Sequence, residues 1–318
     1  MNVYLTFDVE VWCNGWSRLD ENFPSSFERY VYGRSPEGQY ALPRTLEILN
    51  AHGLVGVFFV EPLFSARFGA CHLEQITRLI LDAGQDVQMH LHPEWTDEIR
   101  PRIIADADRK RQHLTYYTPE EQVTLIAFGR WLLESAMQRP IGAFRAGSFA
   151  ANRDLYRSLL ANDIAIDSSL NACNDYSSGT LESVRPWNGR CVVDGIDCYP
   201  VTVLRDGFGR ARHAQVGACS FQELSGALLD AEAMGCCDFV IVSHNFEMLK
   251  PGSSLPDHIV EGRFDRLCAF LAAHSDRFRV GRFPPPGGSE RRPPRPPAAS
   301  AWATAVRHGE QLARRVLR

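Results

Sequence analysis

The chain has 318 residues, 45% of them apolar, enough for one large domain with a substantial core or for two smaller ones. Its net charge of −4 conceals an asymmetry. The segment from Pro284 onward carries seven arginines and two glutamates, a net +5, which leaves −9 on the rest and argues against nucleic acid as a partner. No apolar run approaches the ~20 residues of a transmembrane helix. The N-terminus opens on a strand-like run with no basic leader, and nine cysteines without C-x-x-C spacing suit reduced thiols, so the expectation is a cytoplasmic protein.

In chain order, a strand over 3–9 passes into Asp8-Val9-Glu10, and a long loop rich in aromatic and turn residues (11–38) follows. A helix over 39–52, with Leu42, Leu46 and Leu49 at helical spacing, stops at Gly53, a good C-terminal cap. Then come a strand over 55–60, a helix over 72–83, and a strand over 87–89 that runs into His90-Leu91-His92-Pro93. Further elements are a helix over 119–138, a strand over 142–145, a helix over 150–162 and a strand over 164–167. The alternation of Val192, Ile196, Tyr199, Val201 and Val203 within 190–204 predicts an inserted β-hairpin. A helix over 220–234, a strand over 238–243, a helix over 257–274 and a strand over 278–283 complete the series.

Repeated strand–helix units imply a parallel sheet with helices outside it. About seven units in roughly 280 residues predict an α/β fold of the distorted (β/α) barrel type. No glycine-rich phosphate loop follows the first strand, which disfavours a dinucleotide fold. Residues 1–283 form the predicted barrel, 284–300 a proline-rich linker, and 301–318 a basic amphipathic helix. In that helix Trp302, Val306, Ala313, Val316 and Leu317 lie along one side, with Arg307, Arg314, Arg315 and Arg318 elsewhere. It is either a solvated tail or a docking helix that makes a protein contact or a peripheral membrane contact, the latter at the inner membrane face.

Residues i and i+2 of a strand share a face. Asp8 and Glu10 therefore pair on one face, as do His90 and His92. Two carboxylates and two imidazoles where apolar runs stop make a metal-site composition, suited to a divalent ion and best to zinc. In β/α barrels active groups gather at the carboxyl ends of strands, where this chain places Asp8, Glu10, His90, His92, Arg145, Asp167 and His244.

In order and spacing these segments resemble the polysaccharide deacetylase (NodB-homology) family of metal-dependent N-deacetylases. TFDVE (6–10) is similar to the family's first motif, with an aspartate base and a carboxylate ligand. ALPRTLEILNAHGLVGVFFVEP (41–62) resembles the helix–strand unit that follows, and AGQDVQMHLHP (83–93) the metal-binding motif. FRAGSF (144–149) resembles the third motif, whose arginine braces the base, IDSS (166–169) the fourth, and SHNFE (243–247) the fifth, which supplies the general acid. Three features depart from the common pattern. A valine separates the two acids, the histidines are two apart rather than four, and Gly147 stands where a proline is usual. The first two changes agree with each other, since both make same-face strand pairs, and they resemble a variant branch with D-x-E and H-x-H motifs. They leave open which of Asp8 and Glu10 is the base.

The resemblance implies a metal held by Glu10, His90 and His92, Asp8 as base, Arg145 bracing it, and His244 as general acid. Asp167 would hydrogen-bond His244 and raise its pKa. Backbone N–H groups at Gly147 and Ser148 would serve a developing oxyanion, and Trp95 would stack on a sugar or cap the barrel. The implied activity is hydrolytic N-deacetylation of an N-acetylated amino sugar in a glycan precursor, glycolipid or small glycoside. The alternatives are hydrolysis of another C–N amide bond, of ureide or formamide type, and an inactive glycan-binding barrel.

Overall fold

A computed structural model describes residues 1–105, 108–174, 181, 188–287 and 295–316. The chain divides into two compact units, one of Met1–Gly56, Val203–Arg282 and Pro293–Arg318, the other of Val57–Thr202 and Phe283–Arg292. Each is α/β with parallel strands, the class the sequence predicts. No described helix is long and apolar enough to cross a membrane.

In the first unit, strand Asn2–Val9 lies parallel to Asp238–His244, in a register that sets Asp8 opposite His244. Both are nearly continuous apolar runs, as strands covered on both faces must be: Val3, Leu5, Phe7 and Val9 are buried, as are Phe239, Val240, Ile241 and Val242. The expected strand over 278–283 is only Arg279–Val280, paired with Asn2 and Val3. Helices Leu42–Ala51, Phe221–Ala233 and His258–Ala273 match their predicted positions. The predicted loop over 11–38 is in part helical, Leu19–Phe27 followed by a π-turn Glu28–Tyr32. It buries Leu19, Phe23 and Phe27, four residues apart on one face.

The tail departs from expectation. Helix Ala301–Val316 is part of the first unit, and it is held by a polar face, not an apolar one. Ala303, Thr304 and Arg307 are buried, whereas Trp302 is 74% exposed. Arg307 Nε donates to Glu223 Oε1 at 3.0 Å, its Nη2 donates to Asp206 Oδ2 at 3.1 Å, and Thr304 Oγ1 donates to the same Glu223 oxygen at 2.8 Å. Glu223 also closes the capping box of Phe221–Ala233 with Ser220. A hydrophobicity pattern misses this because the docking face is matched by buried acids. Residues 317 and 318 lie outside the described residues.

In the second unit, strands Val57–Val60, Asp86–Leu91, Ala143–Ala146 and Ile166–Asp167 pair in succession, all parallel. The predicted hairpin is present as Cys191–Val193 against Ile196–Cys198, the latter joining Ile166–Asp167 in parallel. Helices Ala70–Asp82, Pro119–Met137 and Arg153–Ala161 cover these strands in sequence. Thr118 and Glu121 form a capping box at the start of Pro119–Met137, and Asn152 caps Arg153–Ala161.

Candidate active site

The first unit contributes the acids and His244. Asp8 is 2% exposed and Glu10 8%. Trp12 Nε1 donates to Glu10 Oε2 at 2.6 Å, which fixes the carboxylate. Asn245, directly after the proposed acid, clamps the Glu10 backbone: its Oδ1 accepts from Glu10 N at 3.1 Å, and its Nδ2 donates to Glu10 O at 3.2 Å.

His244 has a partner that the sequence did not assign. Its Nδ1 lies 2.9 Å from Glu247 Oε1, three residues on. Glu247 is itself fixed, accepting from Gly217 N at 2.6 Å, from Ser243 Oγ at 3.1 Å and from the Gln215 amide. A Cβ on Gly217 would lie 2.7 Å from Glu247 Oε2, so only glycine lets the carboxylate approach this backbone. Burial opposes a charge on His244, but the Glu247 hydrogen bond, with the charges of Glu10, Glu247 and Asp8, outweighs it and pushes the ring up to about 9.

The second unit contributes the imidazoles. His90 and His92 are buried, with ring centroids 4.8 Å apart and planes 81° apart. His90 Nδ1 lies 2.8 Å from Arg145 O, and His92 Nδ1 lies 3.2 Å from Glu94 Oε2. Each Nδ1 is thus engaged by an acceptor, which orients Nε2 as the ligating atom, the usual support of a metal-binding histidine. Glu61, also buried, accepts from Leu63 N and Phe64 N at 2.8 and 3.3 Å. Burial pushes it up to about 8 against those amides and the nearby His92. Neither Glu61 nor Glu94 was singled out from sequence. Their signal was position: Glu61 directly follows an apolar strand, and Glu94 stands two residues after a histidine.

Gly147 is fixed by packing. A Cβ there would meet His92 Nδ1 at 2.7 Å, so the ring occupies the space a side chain would take. Ser148 follows with φ of 56°, a left-handed conformation uncommon outside glycine, and its carbonyl accepts from Asn174 Nδ2 at 2.7 Å.

Two expectations are corrected. Asp167 is not the partner of His244: its oxygens accept from Ser169 Oγ at 2.5 Å and Ser169 N at 3.0 Å. Burial pushes Asp167 up to about 6. Ser169 Oγ in turn accepts from Ala146 N at 2.8 Å, so Asp167 braces the end of the arginine-bearing strand. Trp95 is 1% exposed and packs edge-on against Phe68, because the 3₁₀ turn after His92 directs the indole into the core, where no sugar reaches it. Arg145 is fully buried, with Nε donating to Ser168 O at 3.1 Å and Nη2 to Ser168 Oγ at 2.8 Å.

Glu10, His90 and His92 are a buried group of three that could hold a metal ion. The donors suit one: two imidazoles with engaged Nδ1 atoms and a carboxylate with one oxygen committed to an indole make a His₂Glu set, a composition found in catalytic zinc sites.

Neither a family model nor a curated relative matches the chain's sequence. Among solved structures, it is similar to a Mycobacterium smegmatis protein described as a candidate polysaccharide deacetylase, at 18% identity, covering 90% of this chain and 94% of that one, with a TM-score of 0.49. A family 4 carbohydrate esterase from Streptomyces lividans, solved with acetate, matches at 13% identity, 88% and 92% coverage and a TM-score of 0.44. A family 4 pseudoenzyme from Bacillus anthracis matches at 13% identity, 87% and 62% coverage and a TM-score of 0.41.

Proposed function

We propose that the chain is a divalent-metal-dependent N-deacetylase. It removes acetate from an N-acetylated amino sugar in a glycan precursor, glycolipid or small glycoside. The observation that carries this reading is the Glu10, His90 and His92 donor set, each member oriented by a neighbour. We propose zinc as the metal, held by these three residues, and a reducing, cytoplasmic compartment, which suits nine free cysteines.

A metal bound there would supply Lewis acidity toward an acetyl carbonyl and would acidify water. Asp8 takes the water proton, and Arg145, anchored by Ser168, is the residue assigned to brace that base. The Gly147 and Ser148 amides are the proposed donors to the developing oxyanion. His244 gives its proton to the leaving amine, and Glu247 holds the ring protonated and in orientation until then.

The test is acetate release from N-acetylated amino-sugar glycosides by protein stripped of metal and then reloaded with zinc. Acetate and free amine should appear in equal amounts only after reloading. Zinc-loaded protein that leaves every acetamide intact but cleaves formamides or ureides would move the activity to another C–N bond. Zinc-loaded protein that binds glycosides and cleaves no amide would make the chain a binding module.

A further inference from the structure

His244 faces a groove that the chemistry above does not use. Two neighbouring cavities of about 460 and 530 Å³ in the first unit share Lys250, Pro251 and Arg314 in their walls and together make one groove. At one end lie His244 and an aromatic pair, Tyr30 and Phe246, with ring centroids 5.1 Å apart at 85°. Along the groove stand Arg29, Lys250 and Arg314. Arg29 sits with its guanidinium 5.0 Å from the Tyr30 ring, and its Nε is buried without a hydrogen-bond partner.

The two acids of the groove are already committed. Glu247 carries the four bonds described above. Asp257 caps helix His258–Ala273 through Val260 N at 3.2 Å and accepts from Arg314 Nε at 2.6 Å. The Arg314–Asp257 and His244–Glu247 pairs offset one another, and Arg29 and Lys250, with Arg315 in the wall of the second cavity, leave the groove cationic in a chain whose first 283 residues are net negative. Arg314 comes from the tail helix, so the segment expected to be a separate appendage forms one wall.

We propose that this groove binds the anionic part of the substrate, and that the substrate is an N-acetylated amino sugar carrying a phosphate or diphosphate ester. The inference rests on the deacetylase reading for its direction. The proton donor serves the amine, and the amine stays on the sugar, so the space beside His244 receives the sugar and what it is joined to, not the acetyl group. Tyr30 and Phe246 offer apolar faces to the ring. The Arg29 guanidinium, with a buried Nε that has no partner, and the Lys250 ammonium stand beside an Arg314 guanidinium whose Nε is held by Asp257, and this set of cations matches the several oxygens and multiple charge of a phosphate better than a single carboxylate.

The experiment is calorimetric binding to the full chain at low ionic strength. It compares the 1-phosphate of N-acetylglucosamine, its uncharged methyl glycoside, and an N-acetylated amino-sugar uronic acid. The phosphate should bind at least about tenfold more tightly than the glycoside, and Lys250→Gln or Arg314→Gln should each remove about tenfold of that preference. Because Arg314 also holds the cap of His258–Ala273, Lys250→Gln provides the test that is independent of that ion pair. Equal affinity for all three probes, or a preference that survives both substitutions, overturns the proposal. A uronic acid bound as tightly as the phosphate overturns the phosphate assignment. Phosphate-dependent binding without acetate release by the zinc-loaded protein upholds the groove and removes the deacetylase reading. Acetate released with equal affinity from charged and uncharged probes does the reverse.

Discussion

Replacing Glu247 by glutamine keeps the shape of the side chain and removes its charge from the His244 ring. The lift of that ring from 6.5 to about 9 corresponds to roughly 3 kcal/mol of preference for the imidazolium. Three carboxylates share this effect against the cost of burial, but Glu247 is the one hydrogen-bonded to the ring, at 2.9 Å. Glu247→Gln should therefore lower the titration of His244 by at least about one pH unit, a tenfold change in proton affinity. Histidine-selective NMR titration of the metal-free protein reads this directly. The sign for stability follows from linkage. A group raised in the folded state stabilises fully below its unfolded value of 6.5 and loses that contribution as pH rises through about 9. The substitution should thus lower the melting temperature more near pH 6 than near pH 10. In turnover, the alkaline limb of kcat/KM should move to lower pH, since kcat/KM falls as His244 loses its proton. A His244 ring that titrates at the same pH with glutamine at 247 would refute the pairing as the source of the shift.

Other substitutions separate the remaining roles. His90→Ala should lose the metal, measured by elemental analysis, whereas Asp8→Asn should retain it and lose about 10²–10⁴-fold in turnover; unchanged turnover in Asp8→Asn would leave Glu10 as the base. Gly147→Ala puts a methyl group 2.7 Å from His92 Nδ1, so the ring must shift and zinc affinity should fall about 10–100-fold by competition with a chelator. Arg307→Ala strands Glu223 and Asp206, both buried, and should cost about 3–5 kcal/mol in denaturant unfolding, as should truncation before the tail helix. A truncated protein with unchanged stability would show that the tail does not pack as described.

Legibility from sequence followed the range of the interactions. The strand-end dyads were readable because a strand has period two, and helices such as Leu42–Ala51 because their apolar residues recur at helical spacing. Helix Leu19–Phe27 escaped because Pro24 and the polar residues around it look like a loop, although Leu19, Phe23 and Phe27 carried the signal. The tail was misread for a related reason. A pattern of apolar positions identifies an apolar face, but Arg307 and Thr304 dock by satisfying Glu223, which is 84 and 81 residues away from them. The pairing of His244 with Asp167 followed from motif order alone. The structure instead supplies a nearer carboxylate, because the turn after strand Asp238–His244 returns Glu247 to the ring.

A common device underlies these assignments. Glu10 is held by Trp12, His92 by Glu94, Asp167 by Ser169, and His244 by Glu247, each partner two or three residues further along the chain. Each lies where a parallel strand ends and the backbone turns, so the chain folds the next side chain back onto the functional one. Orientation is therefore set inside each strand end before residues from distant parts of the sequence must cooperate. This limits the side-chain entropy to be lost when a metal or substrate binds. Trp12→Phe tests the idea at its simplest point. It keeps an aromatic ring beside Glu10 and deletes only the N–H donor, 2.6 Å from Oε2. If local support fixes the carboxylate, zinc affinity should fall about 10-fold or more, with the melting temperature of the metal-free protein little changed. If affinity is unaffected, Glu10 is oriented by the metal itself, and the neighbouring residue serves packing alone.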